Sequence, residues 1–244
     1  MNLAENFCEV LGMFAADGSM QNNHICMWGN ISEDKDYYNK IVCPLFSQVC
    51  KKKIKAHEKK SNSVYGFYVC DKEVINLFKQ MGFSRNKTYN VKIPNEILDS
   101  SNTKFLAAFV RGFVDCDGFI SFMKRKGKYS KFKLDFHTYP RIMFKIASKN
   151  MIYDIHFILD KLDVKHTLYI YYPKRTNLSP MYVIEIRGNE RIEKFMNKVG
   201  FNNFNQKSKY YIWKKFGFCP PNTTLQERKE ILNGELDPYS FYKK

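Results

Sequence analysis

At 244 residues and 28.9 kDa, the chain has the length for one large domain or two small ones with buried cores. A hydrophobic content of 44% excludes global disorder, and the longest obvious apolar run, Phe105 to Val110, is far too short to span a bilayer. Forty basic residues against 24 acidic ones leave a formal charge of +16, which points to a polyanionic partner, most simply nucleic acid. Glu5 and Glu9 stand where a secretory signal would carry positive charge. The cysteines at positions 8, 26, 43, 50, 70, 116 and 219 form no CxxC pair. The expectation is reduced thiols in an intracellular compartment, whether organelle, phage-infected cell or microbial cytoplasm, with no membrane partner.

The chain opens with an apolar helix ending in Asp17-Gly18, and the pattern returns one hundred positions later before Asp117-Gly118. Val10, Gly12, Asp17 and Gly18 recur as Val110, Gly112, Asp117 and Gly118. A second pair of landmarks follows, Phe78 to Gly82-Phe83 and Phe195 to Gly200-Phe201. The chain is therefore read as a duplication: residues 1–98 as one half, 99–218 as the other, and 219–244 as a tail. In the first half, residues 23–31 and 51–69 read as strands around a helix starting at Ser32, which Pro44 is expected to kink. Residues 94–103 read as a linker. In the second half, residues 119–125, 129–138, 141–147, 166–173 and 181–187 are strand-like, and a helix starts at Ser148. Ser32 and Ser148 read as N-caps ahead of any polar role near the site. Thr224 to Glu227 is a capping-box pattern for a short last helix.

Alternation within the strands sends apolar residues to one face and basic ones to the other. Lys131, Lys133 and His137 oppose Phe132, Leu134 and Phe136; Arg141 and Lys145 alternate with Ile142, Phe144 and Ile146; Arg187 follows Ile186. Lys53, Lys55, Lys124 and Arg125 add basic strand ends or hairpin tips. Such a sheet face suits a DNA groove, with lysine and arginine on phosphates and mixed polar groups on base edges. Tyr169, Tyr171 and Tyr172 are candidates for one or two further groove contacts.

Gly12 with Ala16, and Gly112 with Cys116, put small residues four apart on one helix face, where two backbones can approach closely. If the two repeat helices pack there, Asp17 and Asp117 become neighbours, and Gly18 and Gly118 are expected as left-handed caps. Two carboxylates side by side are costly unless a cation lies between them. With the carbonyls of Ala16 and Cys116 they make an all-oxygen environment, suited to Mg²⁺ rather than Zn²⁺. The five histidines show no HExxH or Cys/His spacing, so no zinc or HNH-type site is expected, and no glycine-rich phosphate loop is present.

The segments Val10 to Gly18 and Val110 to Gly118 resemble the two motifs of a single-chain LAGLIDADG homing endonuclease. Ala15 departs from the pattern where Asp115 keeps an acid, and Arg111 is unusually polar for its place. The resemblance implies an α/β (α+β) fold of two pseudo-symmetric αββαββα halves, each with an antiparallel saddle-shaped sheet. It also implies a monomer that cuts both strands of double-stranded DNA and promotes intron or intervening-sequence mobility. Asp17 and Asp117 would hold Mg²⁺, with Mn²⁺ substituting and Ca²⁺ binding without turnover. Lys87 and Lys207, in roughly equivalent places after the Gly-Phe landmarks, would be the basic catalytic residues. Two other readings use the same scaffold: an intron RNA maturase, whose partner is intron RNA, and a catalytically inactive, sequence-specific DNA-binding protein. An intein-embedded form is not expected, since the chain begins at its own Met without flanking splicing segments.

Overall fold

The computed structural model describes residues 3–59, 63–85, 87–124, 135–173 and 179–242. The first half runs α1 (Glu5–Ala16), β1 (Gly18–Met20), β2 (Ile25–Asn30) and α2 (Lys35–Tyr37). A π-helical turn (Tyr38–Val42) then leads into α3 (Cys43–Cys50), β3 (His57–Lys59), β4 (Val64–Val69) and α4 (Lys72–Gln80). Two short helices, α5 (Lys87–Asn90) and α6 (Asn95–Leu98), bridge to the second half. That half repeats the order: α7 (Thr103–Asp117), β5 (Gly118–Lys124), β6 (His137–Ile146), α8 (Lys149–Lys161), β7 (Thr167–Tyr171), β8 (Met181–Arg187) and α9 (Asn189–Lys198). Next come α10 (Phe204–Phe216), α11 (Leu225–Asn233) and a 3₁₀ turn at Pro238–Tyr242. The two antiparallel sheets have matching orders, β1-β2-β4-β3 and β5-β6-β8-β7, so each half is αββαββα.

The molecule is centred on α1 and α7, which are buried along almost their whole length, as helices apolar on every side must be. They meet backbone to backbone. A β-carbon on Gly12 would lie 2.0 Å from the Phe109 carbonyl oxygen, and one on Gly112 would lie 2.1 Å from that of Glu9. The sheets turn Ile25, Met27 and Phe67, and Ile142, Phe144, Ile184 and Ile186, into the core. Against the second sheet, α8 buries Ile152, Ile155 and Leu159, and Ser148 caps its start by accepting from Met151 N. Five of the described glycines have positive φ; at two of them, Gly82 and Gly200, Phe83 N and Gly200 N return to the Phe78 and Phe195 carbonyls and close the preceding helices.

Several sequence expectations are corrected. Gly18 and Gly118 do not have positive φ; Gly118 is extended at φ −101°. Glycine is needed there because a β-carbon would meet the Phe14 ring at 2.1 Å or Val114 Cγ1 at 2.4 Å. Ser32 caps nothing. Its N–H donates to Asn30 Oδ1 while Asp34 Oδ2 accepts from Asn30 N, so this turn delays the helix to Lys35. Pro44 acts by forcing the π-turn just before α3 rather than by a simple kink. Residues 51–56 are not strand, since Lys51 ends α3 in the left-handed conformation. The two strands expected at 129–138 and 141–147 form one, β6, over its described part. The linker contains α6.

Candidate metal and nucleic-acid site

Close packing of α1 and α7 sets the geometry of their C-termini. Asp17 is the C-cap of α1, its N–H donating to the Met13 and Phe14 carbonyls, and Asp117 is the last residue of α7. Cys116, next to Asp117 in the chain, feels both acids: its thiol is pushed well above its usual range by burial and then by the charges of Asp17, Asp115, Asp117 and Asp34. That potential is strongly negative, and two helix ends add their negative poles to it. The hydroxyl of Tyr38 is buried near Asp17 and Asp34, with no hydrogen-bond partner among the described residues. Excess negative charge and an unpartnered buried oxygen fit a bound cation at this place.

The third acid has a different task. Asp115 is fully buried and accepts from Asn202 N at 2.9 Å, Asn203 N at 3.0 Å and Tyr37 Oη at 3.4 Å. It thereby docks the start of α10 onto the back of α7. Burial raises its pKa to about 7 against the pull of those N–H donors. The counterpart of Asp115 is Ala15, which has no carboxylate, and the residues matching Asn202 and Asn203, Ser84 and Arg85, are exposed. Arg111 is explained as well: through Nε and Nη2 it donates to Glu9 Oε2 at 3.0 and 2.6 Å, so each half supplies one member of a buried pair. Asn202 Nδ2 completes Glu9 by donating to Oε1 at 2.6 Å.

Beside Asp117 opens a cavity of about 650 Å³, bordered by Ala15, Ala16, Lys145, Tyr89, Tyr171 and Ser179. Lys145, expected only on the DNA face, is thus the described basic residue that shares this space with an acid of the pair. Its ammonium also lies over the Tyr171 ring at 5.9 Å. Lys207 lies in α10 and does not border the cavity. Lys87 opens α5, whose Tyr89 does border it, but the Lys87 side chain lies outside the described residues.

The outward face of the second sheet carries Arg141, Lys145 and Arg187, with Arg141 and Arg187 directly opposite each other across β6 and β8. Glu185, nearly buried, holds both, at 3.4 and 2.7 Å. His137 is turned to the tail, its Nδ1 2.9 Å from Tyr242 Oη, and Lys124 lies over the same tyrosine. Arg125, Lys131 and Lys133 lie outside the described residues. Among the described residues, the first-half face is not the lysine-rich surface expected. Lys53 and Lys55 are in the coil before β3, and the sheet itself presents Trp28, His57 and Tyr68, rings in edge contact at 5.2 and 5.6 Å. Lys59 covers Trp28. The strand alternation of β2 and β4 held this signal in the sequence. Tyr169 and Tyr171 are exposed on β7, and Tyr172 follows them.

Residues 104–200 match the family model described as a LAGLIDADG-like domain. The curated relatives are much longer proteins. A replication factor C small subunit of Methanocaldococcus jannaschii is 26% identical over 200 residues, covering 81% of this chain and 10% of that protein. A subunit of the A-type ATP synthase of Pyrococcus abyssi is 24% identical over 163 residues, covering 66% of this chain and 14% of its own length. Among solved structures, I-DmoI in complex with DNA and Mn has a TM-score of 0.54 at 16% identity, covering 82% of this chain and 98% of that one. I-DmoI with DNA and Ca has a TM-score of 0.53 at 16% identity, covering 80% and 88%. Mesophilic variants of the homing endonuclease I-DmoI have a TM-score of 0.53 at 17% identity, covering 80% and 95%. The family model lies within the second half, and the homing-endonuclease structures share the fold of both halves.

Proposed function

We propose that this chain is a two-domain LAGLIDADG protein and acts as a site-specific endonuclease that hydrolyses both strands of double-stranded DNA. The observation that carries the reading is the pair Asp17 and Asp117 at the ends of two helices in backbone contact, one from each half. Both halves being in one chain, a monomer has one acid for each DNA strand. The carboxylates of Asp17 and Asp117, with the carbonyls of Ala16 and Cys116, would hold divalent ions; the hard oxygen set favours Mg²⁺, with Mn²⁺ as a substitute and Ca²⁺ binding without turnover. Ions bound there would activate water and neutralise charge on the leaving oxygen. Lys145 is placed to offset phosphate charge beside Asp117, and Lys87 begins the short helix whose Tyr89 borders the same cavity. The structures of I-DmoI with DNA and either Mn or Ca support DNA and a divalent ion as partners. Two relatives with unrelated names share only this segment, a tenth to a seventh of their lengths, which supports a module that travels between genes.

The test is cleavage of DNA spanning the gene's own insertion site, joined without the intervening sequence, in Mg²⁺ and in Ca²⁺. Expected is a double-strand cut in Mg²⁺ alone, reduced at least about a hundredfold by Asp17→Asn or Asp117→Asn while binding in a gel-shift assay persists. Specific DNA binding with no cut in either metal would replace this reading by the inactive DNA-binding one. Binding confined to the intron RNA would replace it by the maturase.

A further inference from the structure

Three donors far from the Asp17 and Asp117 pair converge at the other edge of the second half. His156 and Asp160 lie one turn apart on α8, and His166 stands just before β7. Among the described residues they are the one group of histidine, cysteine and carboxylate side chains whose donor atoms all come within 4.8 Å of one another. The chain end of α8 makes the convergence: Asp163 adopts φ +55° and Val164 N returns to the Leu159 carbonyl, which folds His166 back over the helix.

We propose that His156, Asp160 and His166 form a binding site for a divalent transition-metal ion of the zinc class. The tautomer of His166 is fixed by its surroundings. Its Nδ1 lies 2.8 Å from the Val164 carbonyl, an acceptor only, so Nδ1 carries the proton and Nε2 presents a lone pair. A backbone carbonyl on the far nitrogen is the arrangement that orients metal-bound imidazoles. That lone pair points at His156 Nδ1, 2.6 Å away, so a single proton holds the two rings together. The other nitrogen of His156 lies 3.6 Å from Asp160 Oδ2. An ion replacing the shared proton needs bonds of about 2.0–2.1 Å, which requires the two nitrogens to part by several tenths of an ångström. The side chains of His156 and Asp160 are 38% and 61% exposed, so they are free to make that adjustment and the ion has a path from solvent.

Two imidazoles and one carboxylate select zinc, cobalt, nickel or copper over Mg²⁺ or Ca²⁺, so this site and the all-oxygen site would take different ions. Three protein ligands leave a fourth position for water. The ion would fasten α8 to the root of β7, the edge strand that carries Tyr169 and Tyr171. Sequence reading missed it because ten residues separate the histidines and no zinc spacing applies.

The test is calorimetric titration of Zn²⁺ into the full, chelator-treated chain, with Co²⁺ spectra as a second readout. Expected is one tight site per chain, weakened at least about tenfold in His156→Gln, His166→Gln and Asp160→Asn, and a zinc-dependent rise in Tm that His166→Gln abolishes. Bound Co²⁺ should show d–d absorption without thiolate charge transfer, which separates the site from the seven cysteines. Asp160 is exposed, so its variant tests the site even if a histidine variant fails to fold. Unchanged zinc binding in a His156→Gln/His166→Gln double variant, or no tight binding by the wild type, would leave a hydrogen-bonded histidine pair and overturn the proposal.

Discussion

Replacing Gly12 by alanine sets two known effects against each other. Alanine is the better helix former, by about 0.5–1 kcal/mol over glycine in mid-helix. Against this, the new methyl would lie 2.0 Å from the Phe109 carbonyl oxygen, 2.9 Å from its carbon and 3.0 Å from Phe113 N. All three are backbone atoms of α7, so no side chain can swing away. To reach ordinary contact the helices must part by about 1.4 Å, at the most extensively buried seam of the molecule. Overpacking of this kind costs about 1–3 kcal/mol, so the steric term wins and Tm should fall by about 2–8 °C. The same displacement separates Asp17 from Asp117. If these acids act together, an error of about 1 Å should lower cleavage about a hundredfold, well beyond the stability loss. Gly112→Ala should behave alike, its methyl meeting the Glu9 carbonyl at 2.1 Å. Thermal and denaturant unfolding, followed by cleavage at a temperature where both forms are folded, make the measurement. A higher Tm in Gly12→Ala would refute the reasoning, since it would mean that helix propensity outweighs a contact too loose to matter.

Two further outcomes follow from buried polar groups. Asp115 has its folded-state pKa raised to about 7, so the native state holds a proton that the unfolded chain releases near pH 4. Its contribution to stability is therefore largest in acid and is lost as pH rises from about 4 to about 7. The difference in unfolding free energy between wild type and Asp115→Asn should slope over that window and flatten above it; a pH-independent difference would contradict the assignment. Arg228, 1% exposed, donates to Ser208 Oγ at 2.9 Å, to Asn205 Oδ1 at 2.6 Å and to the Thr223 carbonyl, and it faces Glu33 of the first half at 3.5 Å. Arg228→Ala should cost about 3–5 kcal/mol in chemical denaturation, and Arg228→Lys should recover little, because an ammonium cannot span the same fork of acceptors. Wild-type stability in either variant would refute this role.

The parts of the fold legible in the sequence were those where sterics leave one residue type. Gly12 and Gly112 are glycine because two backbones touch, and that need survived in both copies. The positions of Asp17 and Asp117 follow from it. Gly18 and Gly118 show the limit: glycine serves either a positive φ or a lack of room, and only the Phe14 and Val114 side chains reveal which. The start of the second helix was misplaced because Asn30 and Asp34 bond each other's turn and outcompete Ser32, a contest that propensity does not rank. Arg111 looked anomalous because its partner, Glu9, is about a hundred residues away. Lys145 was assigned to a sheet face, correctly, but the position of that face beside Asp117 depends on how the sheet meets α1 and α7.

On the proposed function, the two sheet faces differ in a way that bears on what the protein would read. Arg187, paired with buried Glu185 at 2.7 Å, and Arg141, which faces the same carboxylate at 3.4 Å and donates to Ser121 Oγ, have lost part of the freedom that a lone surface arginine would surrender on binding. A guanidinium held this way suits the O6 and N7 edge of guanine better than it suits a flexible phosphate contact. The first sheet instead shows Trp28, His57 and Tyr68 packed edge to face, an aromatic surface with Lys59 above it. Apolar contact there discriminates through thymine methyl groups and groove shape rather than through paired hydrogen bonds. On the proposed function, a duplication has kept its geometry at the helix seam while its two surfaces diverged, and the two halves of the target must be unlike in sequence. Ala15 marks the same difference between the halves: Asp115 docks the start of α10, whereas its counterpart is an alanine, and Asp17 and Asp117 are present in both halves.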